Sequence, residues 1–246
     1  MRLIVFLIVL LGGCIATTSP ETSDPLWDQL DEGLEQRLIR QESVFFQAIR
    51  IDPTDYTFRV HYRPNAPLTI QEWTTVLPDA VAIINANFFT VENTVLGVLV
   101  SDGQLFGSSY QNRGATFYTT DDAFGIQRNP LSETAIATFS QAVQAFPMLV
   151  EEGQSIYNNS NDTAISRRTV IAQDEQGHII LMVTSGFGMS LYELSQYLPT
   201  TDLNIVSALN LDGGGSTMMR VNPSDTTVLS FDPVPVVLAV YEKNSD

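Results

Sequence analysis

A chain of 246 residues with 44% apolar and 16% charged side chains is long enough to bury a sizeable core and too apolar to remain disordered. Its formal net charge of -16 argues against nucleic acid and anionic membrane as partners, because both require a basic face. Lys243 is the sole lysine and Cys14 the sole cysteine, which makes lysine-nucleophile chemistry improbable and excludes a disulfide within the chain.

In chain order, residues 1–14 read "MRLIVFLIVLLGGC": Arg2, then an apolar run from Leu3 to Leu11, then Gly12, Gly13 and Cys14. The run is too short to span a bilayer and has the length of a signal-peptide core. Leu11-Gly12-Gly13-Cys14 resembles the bacterial lipoprotein signal, in which the cysteine carries lipid and becomes the mature N-terminus. Residues 15–24 are small, polar and proline-containing, as in a tether, and residues 25–246 form the body.

Leu26, Leu30, Leu34 and Leu38 recur every four positions, which predicts an amphipathic helix over 25–42. "SVFFQAIRID" and "YTFRVHYR" flank Pro53-Thr54-Asp55 as strand, turn and strand, and "TIQEWTTVL" suits a short helix. "DAVAIINANFF" is the apolar run of a buried strand. Hairpins are predicted around Asp102-Gly103 and within "GATFYTTDDAFGIQR". A helix is predicted over 133–146, ending before Pro147, and then a short strand in "PMLVEEGQ" and a polar loop over 158–163. "RRTVIAQDEQGHIILMVTSG" reads as two strands around Gln176-Gly177. Ser190 and Glu193 form a capping-box pattern for a helix from 191 to about Leu198. "LNIVSALNL" enters a glycine turn, "STMMRV" leaves it, and "VPVVLAVYE" completes a sheet. Strands outnumber helices, so the expected fold is α+β, a single domain of mixed, mainly antiparallel sheet with a few helices.

The strongest local signal is Asp212-Gly213-Gly214-Gly215-Ser216-Thr217. Glycines let the backbone take positive φ and let another group approach the main chain closely. Successive N–H groups in such a turn can hold an anion, and Ser216 and Thr217 add hydroxyls. Asp212 follows a buried strand and is expected at its mouth. The spacing fits neither a Walker loop nor a serine-hydrolase elbow. The alternative is a tight hairpin with one helpful aspartate. Arg167-Arg168-Thr169 opens a strand in a chain poor in cations, and a planar guanidinium suits phosphate or carboxylate. Asn85, Asn87 and Phe89 are expected on one side of their strand, lining a pocket or satisfied within the core. His61 and His178 have no metal-ligand spacing and read as structural or surface residues.

"AIINANFF", "QAFPMLVEEG", the "RRT" strand pair, "SLYELSQYL" and "ALNLDGGGSTMM" occur in the order found in the phosphodiester glycosidase family, which the chain resembles over roughly residues 45–240. The resemblance implies hydrolysis of a sugar-1-phosphodiester. By it, Arg168 would hold the phosphate and Asp212 would act as nucleophile, base, electrostatic partner or metal ligand. Asn85 would join them in the catalytic set. Gly213, Gly214, Gly215, Ser216, Thr217, Asn87 and Phe89 would shape the substrate site. The chain departs from the family pattern at "VTSGFG", where Ser185 and Phe187 stand, and in the final "FDPVPVVLAV". The residues fix no cofactor; a divalent cation such as Ca²⁺ is the one candidate. The expected partners are a phosphoglycan or sugar-phosphodiester substrate and a membrane reached through lipid on Cys14, with the protein facing the extracytoplasmic envelope. The competing functions are a non-catalytic glycan-binding lipoprotein and an accessory protein of exopolysaccharide assembly.

Overall fold

The structure, a computed structural model, describes residues 26–243. The leader, the tether and Cys14 lie outside the described residues. The fold is α+β, built from three antiparallel sheets. The largest sheet has eight strands in the order Asp28–Asp31, Leu34–Gln41, Val44–Ile51, Ile179–Ser185, Thr169–Asp174, Ile205–Asn210, Met148–Glu151 and Gln154–Ser155. A second sheet runs Thr226–Val228, Met219–Val221, Ala82–Asn85, Val236–Glu242 and Tyr56–Tyr62. A third runs Gln104–Phe106, Leu99–Ser101, Gln141–Ala145, Ala115–Thr119 and Phe124–Arg128.

Apolar runs without polar alternation become strands covered on both faces. In Ile179–Ser185, Ile179, Leu181 and Val183 enter the central core shared by the three sheets. Ile180 and Met182 point the other way, into a cluster closed by Leu194 and Leu198. Val236–Glu242 behaves alike: Val236, Leu238 and Val240 face the central core, and Val237 and Ala239 pack with Ile70 and Trp73 of the helix Ile70–Val76. Both main helices are closed by capping boxes, Thr69 with Glu72 and Ser190 with Glu193. The second runs Leu191–Tyr197 and ends in a 3-10 turn containing Pro199, as its sequence predicts.

Two expected helices are strands instead. The 25–42 stretch forms Asp28–Asp31 and Leu34–Gln41, turned by Glu32-Gly33. Gly33 sits at φ 67, and a Cβ there would come within 2.5 Å of Asp55 Oδ2. The leucine spacing is shared by one side of a strand, and burial of Leu34 beside exposed Leu38 shows that no single helical stripe exists. The 133–146 stretch holds only a helical turn, Glu133–Ile136, before Gln141–Ala145 pairs in mid-sheet with Leu99–Ser101 and Ala115–Thr119. Buried Gln141 and Gln144 replace the polar face of a helix: their side chains bind the backbone N–H groups of Val60, Val98 and Tyr110.

Candidate active site

The glycine turn joins two sheets. Ile205–Asn210 lies in the eight-stranded sheet and Met219–Val221 in the second, so the segment between them crosses the top of the core as a 3-10 turn, Gly214–Ser216. Gly214 takes φ +61, which favours glycine. Gly213 lies against the main chain: a Cβ there would stand 2.7 Å from the Arg167 carbonyl oxygen. The turn is tied to that strand start by a hydrogen bond from Gly214 N–H to the same oxygen, 2.9 Å. At Gly215 a Cβ would collide with the Asp232 carboxylate. The groups seated against Gly213 and Gly215 are therefore protein atoms, where substrate was expected.

Asn85 fixes this crossing. It is buried, its Nδ2 donates to the Asp212 carbonyl at 2.6 Å, and its Oδ1 accepts from the Thr169 hydroxyl at 2.8 Å and from Met218 N–H at 3.1 Å. One amide thus links the second sheet, the eight-stranded sheet and both ends of the turn. Asp212 is anchored further by its own N–H, which donates to Ala86 O.

The Asp212 side chain accepts from Gly213 N–H at 2.9 Å and is hydrogen-bonded to the Ser216 hydroxyl. Burial pushes its carboxyl up to about 6, the Asp232 charge adds to the rise, and the two hydrogen bonds oppose it. Thr217 Oγ1 is buried beside the turn with no partner.

The two arginines part at the strand start. Arg168 is pinned to main chain: Nε donates to Met189 O and Nη2 to Ala164 O, both at 2.8 Å, while its N–H donates to Thr184 Oγ1. It ties the 164 and 189 segments together, and burial lowers its pKa. Arg167 is equally buried. Nη2 donates to Leu229 O at 2.8 Å, and the guanidinium lies 4.8 Å from the centre of the Phe231 ring. Its Nε and Nη1 have no partner.

Asn85, Asn87 and Phe89 do not share one side. The strand ends at Asn85, so alternation stops there. Asn87 Nδ2 donates to the carbonyls of Leu96, Val98 and Gln144 and clamps two strands of the third sheet. Phe89 packs in the cluster around Trp73. None of the Asn87 hydrogen bonds goes to the Asp212 turn. The sequence marks Phe231 and Asp232 only as the start of the "FDPVPVVLAV" departure from the family pattern, with no site role; the 229–232 loop brings them onto the turn through hydrogen bonds from both N–H groups to Gly215 O. Nothing local in "FDP" distinguishes it from any other loop. His61 pairs with Tyr241 and His178 with Asp174, both as structural contacts. Asp212 and Asp232 are two carboxylates near one turn, and among the described residues no group of three His, Cys, Asp or Glu side chains is arranged to hold a metal ion.

The phosphodiester glycosidase family matches residues 78–241, a span that contains the crossing, both arginines and the 229–232 loop. The chain belongs to that family. The N-acetylglucosamine-1-phosphodiester alpha-N-acetylglucosaminidase of Mus musculus is 29% identical over 163 residues, covering 56% of this chain and 31% of that protein. The chain thus spans about a third of the length of the curated relative it matches. In fold it resembles the catalytic domain of the zebrafish enzyme of the same name, auto-inhibited by its pro-peptide, with TM-score 0.69, 21% identity, and 92% of this chain and 86% of that chain covered. A hypothetical protein from Synechocystis follows with TM-score 0.61, 18% identity, and 86% and 62% covered. At such identities the likeness is one of fold.

Proposed function

We propose that this member of the family is a lipid-anchored, extracytoplasmic hydrolase that cleaves a sugar-1-phosphodiester at the bond between the anomeric carbon and the bridging phosphate oxygen. The observation that carries the reading is Asp212: a carboxylate with its pKa raised to about 6, held by Gly213 and Ser216 at a sheet-to-sheet crossing that adjoins a buried arginine pair. Cleavage of a glycosidic bond builds positive charge on the sugar ring. The ionised Asp212 would face and stabilise that charge. The bridging oxygen leaves with the bond's electron pair as part of a phosphomonoester, whose second pKa is about 6, so no strong acid is needed to protonate it. Water supplies the new C1–O bond, and its proton passes to solvent or to the departing phosphate. One carboxylate plus a phosphate-binding cation then suffices, where ordinary glycosidases employ two carboxylates.

The anchor rests on the leader. Cys14 is predicted to carry lipid, and among the described residues no helix is long and apolar enough to cross a membrane. Cys14→Ser is expected to move the protein from the membrane fraction to the soluble fraction; mass spectrometry finding an unmodified mature N-terminus elsewhere would overturn the anchor. For the reaction, protein lacking residues 1–14 is assayed against a panel of sugar-1-phosphodiesters, with Ca²⁺ and with EDTA. Release of free sugar and phosphomonoester, abolished in Asp212→Asn, is the expected result. Saturable binding without turnover would replace the hydrolase by a glycan-binding lipoprotein.

A further inference from the structure

Arg167 is an unusual place for a positive charge. The residue is 7% exposed, and two of its three guanidinium nitrogens are buried without a hydrogen-bond partner. Burial alone depresses its pKa, with no carboxylate acting on it. A charged group taken out of water without a counter-charge is costly, and the chain could avoid the cost with an apolar residue of similar size. Arg168 next to it has a complete structural explanation in the carbonyls of Met189 and Ala164; Arg167 has only the Leu229 carbonyl. An anion would supply what is missing.

What covers Arg167 is a short loop. The 229–232 loop is fixed here by Leu229 O to Arg167 and by Phe231 N–H and Asp232 N–H to Gly215 O. Its tip points apolar surface at solvent: Phe231 is 79% exposed although its ring lies over the guanidinium, and Leu229 is also exposed. The same loop places Asp232 against Gly215, where its charge acts on Asp212. Lifting the loop would uncover the cation and withdraw a carboxylate that repels anions, both in one movement.

We infer that Arg167, rather than Arg168, receives the anionic group of the ligand, and that the 229–232 loop with Phe231 is the cover this group displaces. The ligand class is a phosphate mono- or diester whose neighbouring portion lies toward Asp212. The inference deepens the hydrolase reading and rests on it for the identity of that neighbouring portion.

Binding of inorganic phosphate, measured by calorimetry on the folded protein lacking residues 1–14, tests it apart from turnover. Arg167→Gln should weaken phosphate binding by at least about tenfold, the scale of a hydrogen bond to a charged group. Phe231→Ala should strengthen it, because the cover is thinned while the cation stays. Arg168→Gln, if folded by circular dichroism, should retain phosphate binding within a few-fold. Unchanged binding in Arg167→Gln, or no binding by the wild type, overturns the inference. Should Arg167→Gln fail to fold, Phe231→Ala decides: unchanged or weaker binding overturns it. Phosphate bound at Arg167 with no turnover of any phosphodiester would sink the hydrolase and leave the anion site. Turnover indifferent to Arg167→Gln would do the reverse.

Discussion

At the level of single residues, Asp212 makes the sharpest demand. Its native pKa of about 6 stands above the ordinary 3.8, mainly through burial, so the folded protein holds this proton more tightly than the unfolded chain does. Between those two values the native state binds more protons. The stability contributed by this group is therefore full below about pH 4 and is lost as pH rises through 6, by on the order of 3 kcal/mol at most. Asp212→Asn lacks that loss. Its melting temperature is expected to equal or exceed the wild type's at pH 8, with the gap closing toward pH 4. If the ionised form does the chemistry, wild-type kcat/KM rises through about pH 6 to a plateau, and Asp212→Asn is slower by orders of magnitude. A rate that falls through pH 6 would instead make Asp212 an acid. Asn85 acts behind it. Asn85→Ala strips partners from buried groups, each worth about 1–3 kcal/mol, and should lower both melting temperature and kcat by loosening the turn. The glycine turn after a buried strand was legible in the sequence, because three glycines have no use in a strand interior, but what packs against them was not: Arg167 O and the Asp232 carboxylate arrive from distant segments. The division of labour between Arg167 and Arg168 was not legible either, since neighbours at a strand start face opposite ways and only the loops arriving from 189 and 229 decide which one is consumed by carbonyls.

Among the elements, the same contrast holds between local and distant causes. The capping boxes at Thr69 and Ser190 are written in four consecutive residues and appear where the sequence places them. The hairpin at Asp102-Gly103, with φ of 48 and 76, is equally local. Ser190→Ala should cost about 1 kcal/mol, read as a fall of roughly 2–4 °C in melting temperature. The 25–42 segment was misread because leucine spacing fits both periods over a short window, and the deciding residue is Gly33. Its turn backs onto the Asp52–Asp55 turn, and Asp52 N–H donates to Gly33 O at 2.8 Å. Gly33→Ala meets both a positive φ and the Asp55 carboxylate, so a loss of about 1 kcal/mol or more is expected, with a melting temperature lower by at least 2–4 °C. An unchanged melting curve would mean that the hairpin is not packed as described. The 133–146 segment failed for a different reason. Its glutamines look like a helix's wet face, yet they are buried because distant backbone N–H groups need acceptors.

The molecule as a whole is organised by pairings that sequence proximity hides. Val44–Ile51 and Tyr56–Tyr62 flank a three-residue turn signal, yet they pair in different sheets, the first with Ile179–Ser185 and the second with Val236–Glu242. The strands on either side of the glycines part in the same way, so the site arises where chain passes between sheets rather than at a hairpin tip. That position sets a small buried cation inside a body of net charge -16. At a distance, an anionic phosphodiester would meet repulsion from the whole surface, and the proposed site at Arg167 would prevail only within a few ångströms. Salt screens the distant charges first, the Debye length falling from about 30 Å at 0.01 M to about 8 Å at 0.15 M. The buried cation, shielded from solvent ions, loses less. For an anionic phosphodiester, kcat/KM is therefore expected to rise several-fold between those ionic strengths, the reverse of ordinary electrostatic steering. A neutral glycoside carrying the same sugar should show no such change in its binding. A kcat/KM for the phosphodiester that falls steadily with salt would mean that substrate approaches through a locally positive field, stronger at the mouth than the opposing charge of the rest of the chain.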